Sequence, residues 1–170
     1  NLELLISNHY GDCIGITTLV EEGDANDLNA SALALGGMTK GTTTLEMASA
    51  FSTFPNNGVR YDTSSFTKVV DKQGNVILEN KPKEHKVLDE GVAWIMADML
   101  SSVVNSAAAN YAQISGVFVG GKTGTTDDAF DDWFNGFTPT YSASLWIGSD
   151  YGISLSDHSI IATYMWGNIM

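Results

Sequence analysis

The last third of the chain is the part that most restricts its fold. Residues 116–126, 132–137 and 141–148 form three segments rich in β-branched or aromatic side chains, with only a few residues between one and the next. Parallel strands need a long crossover, and these links are too short to supply one. Antiparallel neighbours in one sheet are therefore the natural pairing.

Helices to cover such a sheet are written elsewhere. Thr43-Thr44-Leu45-Glu46 fits a capping box, in which a threonine hydroxyl and a glutamate three residues later satisfy free amides at a helix start. The predicted helix places Leu45, Ala48, Phe51 and Phe54 on one face, and Pro55-Asn56-Asn57-Gly58 ends it, because asparagine and glycine accept positive φ. A β-hairpin follows, residues 65–70 and 75–78 about a turn at 71–74. Asp89 is placed to cap a second helix, with Val92, Ile95, Met96, Met99, Leu100 and Val103 at helical spacing. Residues 101–112 turn small and polar and read as a loop. Asp157 is placed to cap a terminal helix through Ile160, Ile161, Tyr164 and Met165. The first 37 residues, an apolar run at 2–6 and an acidic loop at 21–24, resolve into no clear element. With no repeat or linker, this is one folded unit of the α/β class: an antiparallel sheet flanked by helices in two or three layers.

Composition excludes several functions. A chain of 170 residues, 44% hydrophobic and 16% charged, is expected to bury a core. No run approaches the ~20 apolar residues of a membrane span. No signal-peptide pattern opens it, and Asn1-Leu2-Glu3 reads as mid-domain, so a piece of a longer domain is expected. A net charge of −12 argues against nucleic acid or an anionic membrane as partner. Cys13 is the only cysteine, which rules out an internal disulfide, and it reads as a small buried apolar residue. His9, His85 and His158 are scattered, so neither a metal site nor any other cofactor is expected. From Val87 onward one cation, Lys122, stands against nine acids.

That lysine opens Lys122-Thr123-Gly124-Thr125. On a strand at a sheet edge, amides beside Gly124 would face outward and could pair with an extended peptide. Thr123 and Thr125 offer hydroxyls to a carboxylate, Lys122 offers positive potential, and Gly124 lets a ligand backbone come close. The set suits a peptide with a free C-terminal carboxylate.

The motif gains weight from its surroundings. Ala32-Leu33-Ala34-Leu35-Gly36-Gly37, Thr44-Leu45-Glu46-Met47-Ala48-Ser49-Ala50-Phe51, Gly121-Lys122-Thr123-Gly124-Thr125-Thr126, Asp132-Trp133-Phe134-Asn135-Gly136-Phe137-Thr138-Pro139 and Leu145-Trp146-Ile147-Gly148-Ser149-Asp150 occur in that order. In sequence and spacing they resemble the transpeptidase domain of bifunctional (class A) penicillin-binding proteins. The resemblance implies a partial β-lactamase/transpeptidase-like fold and a D,D-transpeptidase that cross-links peptidoglycan through a serine acyl-enzyme. It implies D-Ala-D-Ala stem peptides and β-lactams as ligands, and a membrane-anchored full-length protein on the outer side of the bacterial cytoplasmic membrane. By position, Lys122 would tune the nucleophile's protonation, and residues 123–126 would bind substrate, with Thr123 and Thr125 taking its carboxylate. The Thr125 amide would be one of two oxyanion donors. Trp133 and Phe134 read as sheet residues packed against the terminal helix.

Two of the family's three motifs are missing. A Ser-x-x-Lys nucleophile needs both side chains on one helix face. The single match, Ser65-Phe66-Thr67-Lys68, falls in the hairpin, where residues three apart face opposite ways. No serine is followed two residues later by asparagine, so Ser-x-Asn is absent. The chain is therefore expected to be the C-terminal part of the domain over residues 1–170, inactive by itself, and able to associate through the face where the other half would sit. Residues 105–110 also depart from the family's Gly-Thr-Gly-like turn, which leaves a non-catalytic relative that binds muropeptide or a protein partner as a rival. A serine β-lactamase is a second rival, disfavoured by the Asp-x-Trp-Phe block (Asp131, Trp133, Phe134) and the Leu145-Trp146-Ile147-Gly148 block.

Overall fold

The computed structural model describes residues 14–107, 109–155 and 160–170. His9, Cys13, His158, the apolar run at 2–6 and the cap expected at Asp157 lie outside the described residues. In chain order the elements are α1 (Ala30–Ala34), α2 (Thr44–Ser52), β1 (Val59–Tyr61), β2 (Lys68–Val70), β3 (Val76–Glu79), β4 (Glu84–Lys86), α3 (Glu90–Val104), β5 (Gly120–Thr125), β6 (Asp131–Phe137), β7 (Ser142–Gly148) and α4 (Ile161–Ile169). The last three strands form the expected antiparallel meander, in spatial order β5-β6-β7. Two small antiparallel pairs, β1 with β4 and β2 with β3, complete the strands.

The meander has two unlike faces because its residues alternate. Toward α4 point Asp132, Phe134 and Gly136. Phe134 is fully buried, with its ring 5.2 Å from that of Trp166 in an edge-to-face arrangement. A Cβ on Gly136 would lie 2.8 Å from the Trp166 ring, so glycine there lets the helix seat. Asp132 also accepts the Ala162 amide at 3.1 Å, supplying from β6 the cap that α4 lacks at Ile160. Toward α2 point Trp133, Asn135 and Phe137, and Phe137 packs with Phe54, Ala97 and Leu100. Trp133 thus lies on the face away from the terminal helix, unlike Phe134; its ring partner is Trp146 at 6.3 Å.

Helix α2 begins with the full reciprocal capping box between Thr43 and Glu46. It ends at Thr53, and positive φ follows at Asn57 (55°) and Gly58 (85°). Leu45, expected on the packed face, is instead 62% exposed. In α3 the buried stripe is Ala93, Ala97, Leu100 and Val104, whereas Val92, Ile95 and Met99 stay exposed. Ala97 and Leu100 pack against Phe137 of the meander, and Val104 joins the cluster around Phe134 and Trp166. Helix α3 runs through Val104, one turn into the expected loop, and a short 3-10 turn at Asn110–Ala112 follows. Asp89 occupies the cap position of α3 without a capping bond and pairs with Lys86 at 3.0 Å.

Candidate active site

β5 reads Gly120-Gly121-Lys122-Thr123-Gly124-Thr125, paired on one side with β6; no described strand pairs with its other edge. Hydrogen-bonding and non-bonding pairs alternate along an antiparallel ladder. The Thr126 amide donates to Asp131 O at 3.3 Å, which makes 124/133 and 122/135 bonding pairs and 123/134 and 125/132 non-bonding ones. The Thr138 amide bonded to Tyr141 O at 2.8 Å fixes the same phase across β6 and β7. The N–H and C=O groups of Thr123 and Thr125 therefore point outward from the sheet edge. The Lys122 ammonium is exposed and donates to the Thr123 carbonyl at 2.8 Å, which holds it along that edge.

The three glycines of β5 have different causes. A Cβ on Gly120 would sit 2.5 Å from the Phe137 ring, and one on Gly121 2.5 Å from the Phe134 ring, so packing demands both. At Gly124 the nearest atom to an added Cβ is Trp133 Cβ, at an ordinary 3.4 Å. The fold does not require glycine at 124, and open access to the strand edge is the remaining physical reason for it.

Past the strand, Thr126 and Asp131 close the connection to β6 reciprocally. The Thr126 hydroxyl donates to Asp131 Oδ2 at 3.0 Å, and the Asp131 amide donates to Thr126 Oγ1 at 2.9 Å. Trp146 Nε1 donates to Asp131 Oδ1 at 2.7 Å. Beside this clamp, on the α2 face, a groove of about 630 Å³ is lined by Lys40, Thr44, Thr126, Asp131, Trp133 and Trp146 among others.

The loop leading to the groove is pinned by two carboxylates. Asp27 accepts the Val20 amide (2.8 Å), the Thr39 amide (2.6 Å) and the Thr39 hydroxyl (2.7 Å). Burial opposes its charge, yet these bonds and nearby Lys40 hold its pKa below the ordinary value. Burial also opposes the charge of Glu46, but bonds from Thr17 and Thr43 outweigh it and bring the pKa to about 2.

Four of the expected residues, Lys122 to Thr125, thus share one open edge, with Thr126 just beyond it. Ser65 lies in a bend and Lys68 in β2, so they share no helix face and the apparent Ser-x-x-Lys lacks its geometry. His85 is taken up by Asp62, at 2.8 Å from its Nε2. Sequence reading missed the parts played by Asp27, Asp131 and Trp146. In the sequence Asp131 stands only as the first residue of the Asp-x-Trp-Phe block, with no role attached.

The family model described as the penicillin binding protein transpeptidase domain matches residues 9–149. Penicillin-binding protein 1A of Clostridium botulinum is 40% identical over 166 residues, 96% of this chain and 20% of that protein. Penicillin-binding protein 4 of Bacillus subtilis is 38% identical over 128 residues, 75% of this chain and 20% of that protein. The chain therefore spans about a fifth of the length of these curated relatives. Among solved structures, the PonA1 protein of Mycobacterium tuberculosis in complex with penicillin V aligns with a TM-score of 0.71 at 23% identity, covering 94% of this chain and 48% of that one. Penicillin-binding protein 1A of Haemophilus influenzae aligns at 0.71 and 20% identity, covering 93% and 28%. At these identities the structural matches establish the fold.

Proposed function

Because the chain belongs to the penicillin-binding protein transpeptidase family, we propose that it forms the C-terminal part of a D,D-transpeptidase domain and supplies one wall of its active site. In that reaction a serine Oγ bonds to the carbonyl carbon of the penultimate D-alanine. The terminal D-alanine leaves as the amine, taking a proton, and an acceptor amine then displaces the serine. A β-lactam carbonyl is attacked in the same way, and its ring nitrogen takes the proton.

The open edge of β5 carries this reading. The outward amide of Thr125 is an oxyanion donor, and the outward groups of Thr123 and Thr125 pair with an extended stem peptide. The hydroxyls of Thr123 and Thr125 take the substrate carboxylate, and Thr126 borders them at the strand's end. Gly124 leaves that edge open, which is what the lack of any packing need at this position supports. Lys122 supplies positive potential to a chain of net charge −12 and helps set the nucleophile's protonation. The nucleophile lies outside these 170 residues, so the chain alone forms no acyl-enzyme. No described helix is long and apolar enough to cross a membrane. The full-length protein is, in this reading, anchored at the outer side of the cytoplasmic membrane.

The test is acylation of the complete product of the gene by a fluorescent penicillin. Thr125→Pro deletes the amide at a position where β6 does not use it, so the sheet tolerates the change. The expected loss is at least about 10²–10³ in acylation rate, the usual cost of one oxyanion donor, since the substitution also removes the Thr125 hydroxyl. Acylation at the wild-type rate would remove Thr125 from the site.

A further inference from the structure

Directly after Thr125 the backbone enters an uncommon conformation. Asp128 (φ 58°) and Ala129 (φ 55°) are consecutive non-glycine residues in the left-handed region, a combination that persists only where the surroundings enforce it. From outside, Ser154 Oγ donates to Asp128 O at 2.6 Å and the Leu155 amide to Ala129 O at 2.9 Å. At the base of the turn, Asp131 does the holding. One carboxylate oxygen receives the Thr126 hydroxyl, the other receives the Trp146 indole N–H, and its own amide closes back on Thr126. Trp146 is carried by β7, two strands away from β5, and its ring is braced by Trp133. Asp131 therefore couples the end of the free-edge strand to β7, across the sheet, at the residue next to Thr125.

We propose that Asp131 is a positioning residue for transpeptidation: through Thr126, it fixes the direction in which the Thr125 amide points into the site. This rests on the assignment of Thr125 as oxyanion donor. An amide aimed at a developing oxyanion tolerates little displacement, whereas initial, noncovalent capture of a β-lactam spreads over several contacts. Loss of the clamp thus slows acylation while leaving that first binding step nearly intact. Asparagine keeps the clamp. Its carbonyl oxygen accepts from Trp146, and its amide donates to the Thr126 oxygen, which has a free lone pair.

The experiment measures the acylation rate constant and the noncovalent dissociation constant separately, for a penicillin on the complete gene product. Asp131→Ala and Thr126→Val are each expected to lower the rate constant about 10- to 100-fold with the dissociation constant changed less than about threefold. Asp131→Asn is expected to recover to within about threefold of wild type. Thr126→Val preserves volume and tests the clamp should Asp131→Ala fail to fold. Wild-type acylation by both Asp131→Ala and Thr126→Val, or a loss seen only in the dissociation constant, would overturn the positioning role and leave the wider assignment standing. Failure of the wild-type protein to acylate would overturn both.

Discussion

Among the described residues near the groove, Glu46 gathers the most hydrogen bonds, since it closes the capping box of α2 and takes both the amide and the hydroxyl of Thr17. Its pKa falls from an ordinary 4.5 to about 2 because those bonds favour the carboxylate. A depressed carboxylate stabilises the fold at pH above its unfolded value and loses that contribution as pH falls through the folded one. Glu46→Gln should therefore cost about 1–2 kcal/mol at neutral pH. In denaturant titrations the gap between variant and wild type should narrow below about pH 4.5 and close near pH 2. The half of this arrangement between Thr43 and Glu46 was readable in the sequence, because three-residue spacing at a helix start is local chemistry. The Thr17 half, 29 residues away, was not. The same division holds at the site: Lys122 to Thr125 announced themselves as four adjacent residues, while Asp131 drew its meaning from Trp146 on another strand.

Helices and strands show which signals survive packing. The meander was legible because short links leave antiparallel pairing as the simple option. The helical spacing read in α3 spans more than one face: Leu100 is buried and Val103 packs on the core, whereas Val92, Ile95 and Met99 are exposed. Packing against Phe137, which no local pattern announces, selects Ala97 and Leu100 as the inward side. Helix α4 rests on close contacts. A Cβ on Gly167 would lie 2.3 Å from the Tyr111 carbonyl oxygen, which is backbone and cannot move aside cheaply. Gly167→Ala should thus destabilise the fold by about 1–3 kcal/mol, opposite in sign to the usual gain of alanine within a helix. Phe134→Ala, which empties the space against Trp166, should cost about 3–5 kcal/mol. Thermal or urea unfolding checks both; a stabilised Gly167→Ala would contradict the packing described for α4.

At the scale of the whole molecule, one side of α3 exposes Val92 (47%), Ile95 (54%) and Met99 (59%), with Trp94 (68%) beside them. Apolar surface of that kind favours self-association, so the isolated 170-residue chain should sediment as more than a monomer at high concentration. A strictly monomeric profile would count against it. Fold class and family were legible throughout, because five blocks in fixed order carry them without any knowledge of contacts. What no local pattern could supply was the completeness of the site, since a wall and its nucleophile need not share a stretch of chain. The most direct measurement is therefore to map the serine that a fluorescent penicillin modifies in the complete gene product. The account predicts a labelled serine outside these 170 residues, with Ser65→Ala labelled at the wild-type rate. Label on Ser65, abolished by that substitution, would contradict it.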